Sequence, residues 1–236
     1  MPEKSESAVP EDRAEDSEVA GRRIRGVIVD WGGVMTGPIS DIMNAWLEAD
    51  GIIRESFAAA IRPWLRQAYG ASSDDSPVHA LERGECPHEE FERLLAERLV
   101  RFDGQPVVAA GLLTRMFAGA IMEAGMLNLM RTLRNFGVRT ALLSNSWGGT
   151  GYPRELFPEM FDAVVISAEV GMRKPEEQIF RYAAELLGLK PEECVFIDDI
   201  EANVLAAQAI GLVALQHYGP RRTAERLSEL LGIQLA

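Results

Sequence analysis

Cys194-Val-Phe-Ile-Asp198-Asp199 is an unbroken apolar run that ends on two carboxylates. Short β-rich runs without polar alternation have the pattern of strands buried on both faces, which is the habit of a parallel sheet covered by helices. Two further runs repeat the design: Gly26-Val-Ile-Val-Asp30 and Thr140-Ala-Leu-Leu-Ser144-Asn145. Each stops at a polar residue able to handle a phosphate or a metal. In open α/β sheets ligands sit beyond the carboxyl ends of the strands, so these three endings are the place to expect chemistry.

Outward from these runs the order is strand, helix, strand, helix, strand. Thr140–Asn145, Ala163–Ser167, Cys194–Asp198 and Leu212–His217 are strand candidates. Between them Glu176–Leu187, with Pro175 at the first helical turn and Gly188 after its end, and Glu201–Ile210, stopped by Gly211, read as helices. This alternation predicts an α/β fold with right-handed crossovers and a parallel sheet.

The chain runs 114 positions from Asp30 to Ser144, far more than a crossover between neighbouring strands needs. Asp41–Glu48, Glu55–Tyr69, Pro87–Val100 and Pro106–Ala118 carry apolar residues at helical spacing within that interval and lack alternating runs. A helical subdomain inserted over residues 38–123 is the expectation, with the core in residues 22–37 and 124–236. Its place in the chain puts it over the carboxyl edge of the sheet, where a lid would exclude water and choose substrates.

Composition narrows the rest. The 236 residues suit one domain with a large insertion, and no apolar run approaches the about 20 residues of a membrane span. A net charge of −12 argues against nucleic-acid binding, which depends on clustered Lys and Arg. Residues 1–21 hold seven acidic side chains against two lysine or arginine residues before Gly21, with almost no large apolar residue, and read as a disordered acidic tail without the pattern of an export signal. The two cysteines, Cys86 and Cys194, make no disulfide framework, which fits a cytoplasmic protein. Monomer and homodimer are both open.

The strand-end residues suggest their own jobs. Asp30 runs into Trp31-Gly32-Gly33, where glycines let backbone approach a ligand, and its carboxylate suits a nucleophile or a hard-metal ligand. Ser144 and Asn145 offer a hydroxyl, an amide and backbone N–H groups to phosphoryl oxygens. Lys174, one of only three lysines beside Lys4 and Lys190, lies in Gly171-Met-Arg-Lys-Pro175 and suits neutralisation of a carboxylate and an incoming dianion. Asp198 and Asp199 are oxygen ligands fit for Mg²⁺.

Together and in this order the motifs resemble the haloacid dehalogenase-like hydrolase superfamily, most of whose members are phosphatases, over about Gly26 to His217. The run Phe196-Ile-Asp-Asp-Ile-Glu-Ala-Asn203-Val most resembles the branch that includes the phosphatase domain of soluble epoxide hydrolase. The resemblance implies a Rossmann-like, doubly wound parallel sheet with a small helical cap. It also implies a small phosphorylated substrate, with Asp30 as the nucleophile that becomes an aspartyl-phosphate. Ser144, Asn145 and Lys174 would hold the phosphoryl group, and Asp30, Gly32, Asp198 and Asp199 the Mg²⁺. Asp199 matches the family's usual direct ligand, with Asp198 acting through water and Gly32 through its carbonyl.

One position departs from that pattern. The family's phosphatases usually carry Asp-x-Asp in the first motif, and the second carboxylate, which protonates the leaving alcohol and activates water, is here Gly32. General acid–base assistance contributes about 10²–10⁴-fold, so its loss favours substrates whose leaving group needs no proton, such as an anomeric sugar oxygen or an acyl group. A similar Asp-x-Gly variant occurs in bacterial sugar-phosphate phosphatases of the superfamily. Three functions follow: a slow or selective phosphatase, a non-catalytic phosphate sensor or scaffold, and a dehalogenase. Phosphonate cleavage through a cap lysine is excluded, since residues 38–123 contain none.

Other conspicuous residues read as structural. His79, His88 and His217 lack metal-ligand spacing and suit surface or strand-end positions. Trp31 and Trp147 suit pocket walls or core, and Trp46 and Trp64 the core of the helical insertion. Arg62 and Arg66, a helical turn apart, read first as a solvated face.

Overall fold

The computed structural model of the chain describes residues 23–68, 76–148 and 151–235. Five parallel strands form one sheet in the order β3-β2-β1-β4-β5: β1 (Gly26–Val29), β2 (Arg139–Ser144), β3 (Ala163–Ile166), β4 (Cys194–Asp198) and β5 (Val213–Gln216). The central strand β1 pairs Val29 with Leu142 on one side and with Ile197 on the other. Chain order therefore reverses beside β1, which makes the carboxyl end of β1 the topological switch point. The acidic tail expected over residues 1–21 lies outside the described residues.

Between β1 and β2 stand α1 (Ile39–Ala49), α2 (Arg54–Ala68), α3 (Pro77–Glu82), α4 (His88–Ala96) and α5 (Leu112–Phe117), followed by α6 (Ala124–Asn135). After β2 come a 3₁₀ turn with α7 (Phe157–Met160), then α8 (Ser167–Val170), α9 (Glu177–Leu186), α10 (Glu201–Ala209) and α11 (Pro220–Leu231).

The sheet's unbroken apolar runs are explained by its two covered faces. Alternate residues of a strand point to opposite sides. Val27, Val29, Leu142, Val195 and Ile197 pack with Met126, Leu129 and Leu133 of α6 and Leu227 of α11. On the other side Ile28, Leu143 and Phe196 pack with Ile179, Phe180 and Ala183 of α9 and Ala207 of α10. Val27, Ile28 and Val29 have no exposed surface. Burial on that scale stabilises by about 1.5–3 kcal/mol per large apolar side chain.

Helices α1 to α5 build a separate apolar cluster that includes Trp46, Trp64, Leu81, Phe91, Leu95, Leu112 and Met116. The chain enters and leaves this segment along one short ladder: Gly37 N–H donates to Ile121 O at 3.0 Å, and Glu123 N–H to Met35 O at 2.9 Å. Trp46 and Trp64 lie inside the cluster.

Several expected boundaries are corrected. The helix expected over Pro87–Val100 ends at Ala96, because Val100 turns out to pair with the α1–α2 connection: Ile53 N–H donates to Val100 O at 2.8 Å and Val100 N–H to Ser56 Oγ at 3.0 Å. Pro106–Ala118 is helical only over Leu112–Phe117. Its start is fixed from α4, where the buried Glu92 carboxylate accepts the N–H groups of Gly111 at 3.0 Å and Leu113 at 2.9 Å. Pro175 precedes α9 instead of opening it, since Glu176 is the extended residue before the first turn. Helix α3 escaped notice because six residues are too few for a period to show. His79, expected near the surface, is buried within α3. The side chain of Arg66 lies outside the described residues, and Arg62 is exposed.

Candidate active site

Two neighbouring strands deliver carboxylates to one point. Asp30 follows β1, where its N–H donates to Ile197 O at 2.9 Å, and Asp198 ends β4 beside it. Single oxygens of Asp30, Asp198 and Asp199 all lie within 4.8 Å of one another. Lys174 reaches into this cluster from the loop before α9. Its Nζ lies 2.7 Å from Asp30 Oδ1 and 2.6 Å from Asp198 Oδ2, and its side chain is 1% exposed.

The electrostatics follow from counting charges. Three carboxylates face one ammonium, so the ionised cluster carries two negative charges in excess. Burial, with Asp198 nearby, pushes the Asp30 carboxyl up to about 8 against the pull of Lys174. Burial and the Asp198 charge push Asp199 up to about 6. Burial alone would lower the Lys174 ammonium, but Asp198 and Asp30 hold it well above its ordinary value. Lys174 is therefore a fixed cation.

The two adjacent aspartates are treated differently. Asp198 is saturated: besides Lys174 it accepts the Ile200 N–H at 2.8 Å and the Asn203 amide at 3.1 Å on both oxygens. Asp199 Oδ1 is buried without a hydrogen-bond partner. A divalent cation fits this arrangement, because it would meet an orphaned carboxylate oxygen and cancel the twofold excess of charge.

The turn after β1 brings backbone against Asp199. Met35 and Thr36 N–H groups donate to Trp31 O, and Gly33 N–H to Thr36 Oγ1 at 3.1 Å. Gly33 has φ 76°, and a Cβ there would stand 2.4 Å from Asp199 Oδ2, so the position demands glycine twice over. Gly32 is different. A Cβ there would meet only the Ile39 side chain, with Cδ1 at 3.1 Å and Cγ1 at 3.7 Å. The first residue of the inserted helices thus lies against the position where the usual second carboxylate would begin.

On the β2 side, Ser144 Oγ and Tyr152 OH share a hydrogen bond of 2.8 Å. Burial pushes the Tyr152 hydroxyl up to about 12, so it keeps its proton at ordinary pH. The expectation for Asn145 is revised by its contacts. Its side-chain amide donates to Lys174 O at 2.9 Å and accepts Lys174 N–H at 2.8 Å, so it holds the Lys174 backbone. Trp31 is buried in an aromatic group with Tyr152 and Phe157, whereas Trp147 donates its indole N–H to Glu82 Oε1 at 2.9 Å.

The structure thus gathers Asp30, Lys174, Asp198 and Asp199, with Asn145 bonded to the Lys174 backbone. Glu82 had no readable signal, since it meets the site from 91 positions before Arg173, and Tyr152 and Ile39, eight and seven residues after Ser144 and Gly32, are placed by turns that no period marks. Asn203 had a faint one, a polar residue five positions after Asp198 in the first turns of a helix.

Comparison with known proteins places these motifs. The family model for haloacid dehalogenase-like hydrolases matches residues 24–211. The mouse bifunctional epoxide hydrolase 2 is 26% identical over 194 residues, which cover 76% of this chain and 35% of that protein. A sesquiterpene phosphatase of Aspergillus oryzae is 33% identical over 113 residues, 47% of this chain and 58% of that one. The chain thus spans about a third of the length of the epoxide hydrolase it matches. Among solved structures, a family enzyme of Bacteroides thetaiotaomicron in complex with magnesium and inorganic phosphate shares the fold at a TM-score of 0.60 and 23% identity, covering 83% of this chain and 95% of that one. No helix among the described residues is long and apolar enough to cross a membrane.

Proposed function

The chain belongs to the haloacid dehalogenase-like hydrolase family, and on that premise we propose that it is a magnesium-dependent phosphatase of a small phosphorylated metabolite, acting through Asp30. One observation carries the reading: Asp30 and Asp198 pair with Lys174 at the switch point and Asp199 joins them, so three carboxylates share one cation. Asp30, Asp199 and the Gly32 carbonyl would hold Mg²⁺, with Asp198 acting through water. When bound, the ion neutralises charge on Asp30 and on the phosphoryl oxygens.

The chain's own residues then divide the work. The Asp30 carboxylate attacks phosphorus, the bond to the leaving oxygen breaks, and that oxygen departs with the electron pair. Water hydrolyses the resulting aspartyl-phosphate and returns Asp30. Lys174 pulls against the burial that favours the protonated acid and holds the Asp30 carboxyl in place, while Ser144 and the Asn145 backbone N–H bind phosphoryl oxygens. A phosphatase name on one relative and a magnesium and phosphate complex of a fold neighbour support this reading.

Gly32 and Ile39 set the substrate. With no side chain at Gly32, and an isoleucine methyl 3.1 Å from where a Cβ there would stand, the leaving oxygen receives no proton from the first motif. Sugar phosphates esterified at the anomeric oxygen and acyl phosphates meet that condition. The same apolar contact favours a second reading, a phosphate-binding protein without turnover. Phosphate release from a panel of anomeric sugar phosphates, acyl phosphates and alkyl phosphates, with and without Mg²⁺, separates the two. Absence of Mg²⁺-dependent turnover on every member removes the phosphatase reading. A dehalogenase has no use for the Asp198 and Asp199 pair, and chloride release from 2-chloroacids is expected to be absent.

A further inference from the structure

Glu82 is the C-terminal residue of α3, inside the inserted segment, yet its carboxylate is 3% exposed and makes both of its charged or polar contacts with the sheet domain's loops. Its Oε2 accepts from Arg173 Nε at 2.5 Å, and its Oε1 accepts from Trp147 Nε1 at 2.9 Å. Arg173 is 2% exposed and precedes Lys174. Trp147 lies two residues after Asn145, whose amide is itself hydrogen-bonded twice to the Lys174 backbone.

We propose that Glu82 is a positioning residue: one carboxylate from the insertion clamps together the Lys174 loop and the Ser144–Trp147 loop, and so sets Lys174 against Asp30. The proposal rests on the phosphatase reading of the site. A charge buried this deeply is costly to desolvate and needs full pairing, so an apolar side chain would serve mere packing better. Neighbouring contacts dock the same corner. Arg83 Nη1 lies 3.5 Å from Glu176 Oε1 across the domain boundary. Gly84 is held so close to the next segment that a Cβ there would stand 2.6 Å from Ala168 O. The end of α3 is therefore fixed to the catalytic loops, and any opening of the insertion must pivot elsewhere or break the Glu82 contacts.

Glu92 provides the matched control. It is also a buried carboxylate of the insertion with two contacts, but both are to N–H groups of Gly111 and Leu113 within the insertion. Glu82→Gln, Glu82→Ala and Glu92→Gln would be compared with the parent protein for Tm, for Mg²⁺-dependent affinity for inorganic phosphate by calorimetry, and for kcat and KM on a substrate found in the panel. Displacing a group by about 1 Å costs about 10²-fold, so Glu82→Ala is expected to lose that factor in kcat and in phosphate affinity while still folded, with Glu82→Gln in between. Glu92→Gln should fall in Tm and keep both quantities within about twofold. A folded Glu82→Ala protein that binds phosphate and turns over like the parent overturns the clamp, and so does a Glu92→Gln loss as large as that of Glu82→Ala. A parent protein that neither binds phosphate with Mg²⁺ nor turns over overturns the phosphatase reading and the clamp with it.

Discussion

Lys174 and Asp30 form an ion pair of 2.7 Å that is almost wholly removed from water, with side-chain exposures of 1% and 9%. The same ammonium lies 2.6 Å from Asp198, so it divides its charge between two carboxylates. Asp198 has the Ile200 N–H and the Asn203 amide besides, whereas Asp30 has Lys174 as its cation. This shared cation makes the site sensitive to pH, to divalent metal and to the loss of any one member.

Lys174→Met should lower turnover by at least about 10²–10³-fold, the factor lost with a single well-placed stabilising donor. It also leaves Asp30 and Asp198 facing each other with no cation. Breaking one side of a buried pair costs about 3–5 kcal/mol, and the Tm of the metal-free variant should fall accordingly. Steady-state kinetics and thermal melts check the two parts. An unchanged turnover number would remove Lys174 from the mechanism.

Metal-free stability should decline as pH rises. The Asp30 pKa is about 8 in the folded protein against an ordinary 3.8, so the folded state keeps a proton that the unfolded chain has released in between. Its stabilising contribution is complete below about pH 4 and is lost as pH climbs through about 8. Asp199, at about 6, acts in the same direction over a narrower window. Asp30→Asn should abolish turnover yet flatten this decline and raise the Tm of metal-free protein at pH 8. Melting curves across pH 5–9 in a chelator provide the measurement, and a parent Tm that rises over that range would contradict the assignment.

The strands were legible because nothing interrupts them: Val27 to Val29 and Val195 to Ile197 are apolar on both faces, and helices cover both faces. Their terminal aspartates were legible for the same reason, since a carboxylate after such a run can only lie at the sheet's edge. The ends of α4 and the start of α5 were not, because contacts made far along the chain fix them, through Val100 and Glu92. The clamp at Glu82 was invisible for a related reason, as 91 positions separate it from Arg173. For Asn145 the sequence offered an amide to the substrate, whereas the fold uses that amide to hold Lys174.

Mg²⁺ should raise the Tm, and by more at pH 8 than at pH 5. Protons compete for Asp199 below about 6 and for Asp30 below about 8, so affinity falls as the medium becomes acidic. At a concentration a hundredfold above Kd the stabilisation is about 2.7 kcal/mol. Asp199→Asn should remove most of the shift, because Asp199 Oδ1 is a buried carboxylate oxygen of the cluster without a hydrogen-bond partner. An equal Mg²⁺ shift in parent and variant would place the ion elsewhere.

Gly33→Ala should abolish the Mg²⁺ shift although no ligand is substituted. The added Cβ would need the 2.4 Å space that Asp199 Oδ2 already fills, and the backbone φ of 76° is strained for any other residue. Either the turn or Asp199 must move. Calorimetric titration of Mg²⁺ into the folded variant tests this, and parent-like affinity would show that the close approach of Gly33 to Asp199 is dispensable.

Gly32→Asp is the reverse experiment, since it offers the site the acid it lacks. The backbone at Gly32 is not in the left-handed region, and the only atoms a Cβ would crowd belong to the flexible end of Ile39, at 3.1 Å and 3.7 Å. A displacement of a few tenths of an ångström at Ile39 admits the new Cβ, and Ile39→Ala removes the contact. If the missing proton donor limits the reaction, the Gly32→Asp and Ile39→Ala double variant should gain about 10²-fold on an alkyl phosphate, whose leaving oxygen needs a proton. It should gain little on an acyl phosphate, whose leaving group does not. The ratio of the two rates is the informative quantity, because a general change in folding or metal binding would shift both together. A gain of equal size on both substrates would place the benefit in the step they share, activation of the water that hydrolyses the aspartyl-phosphate, and not in proton supply to the leaving oxygen.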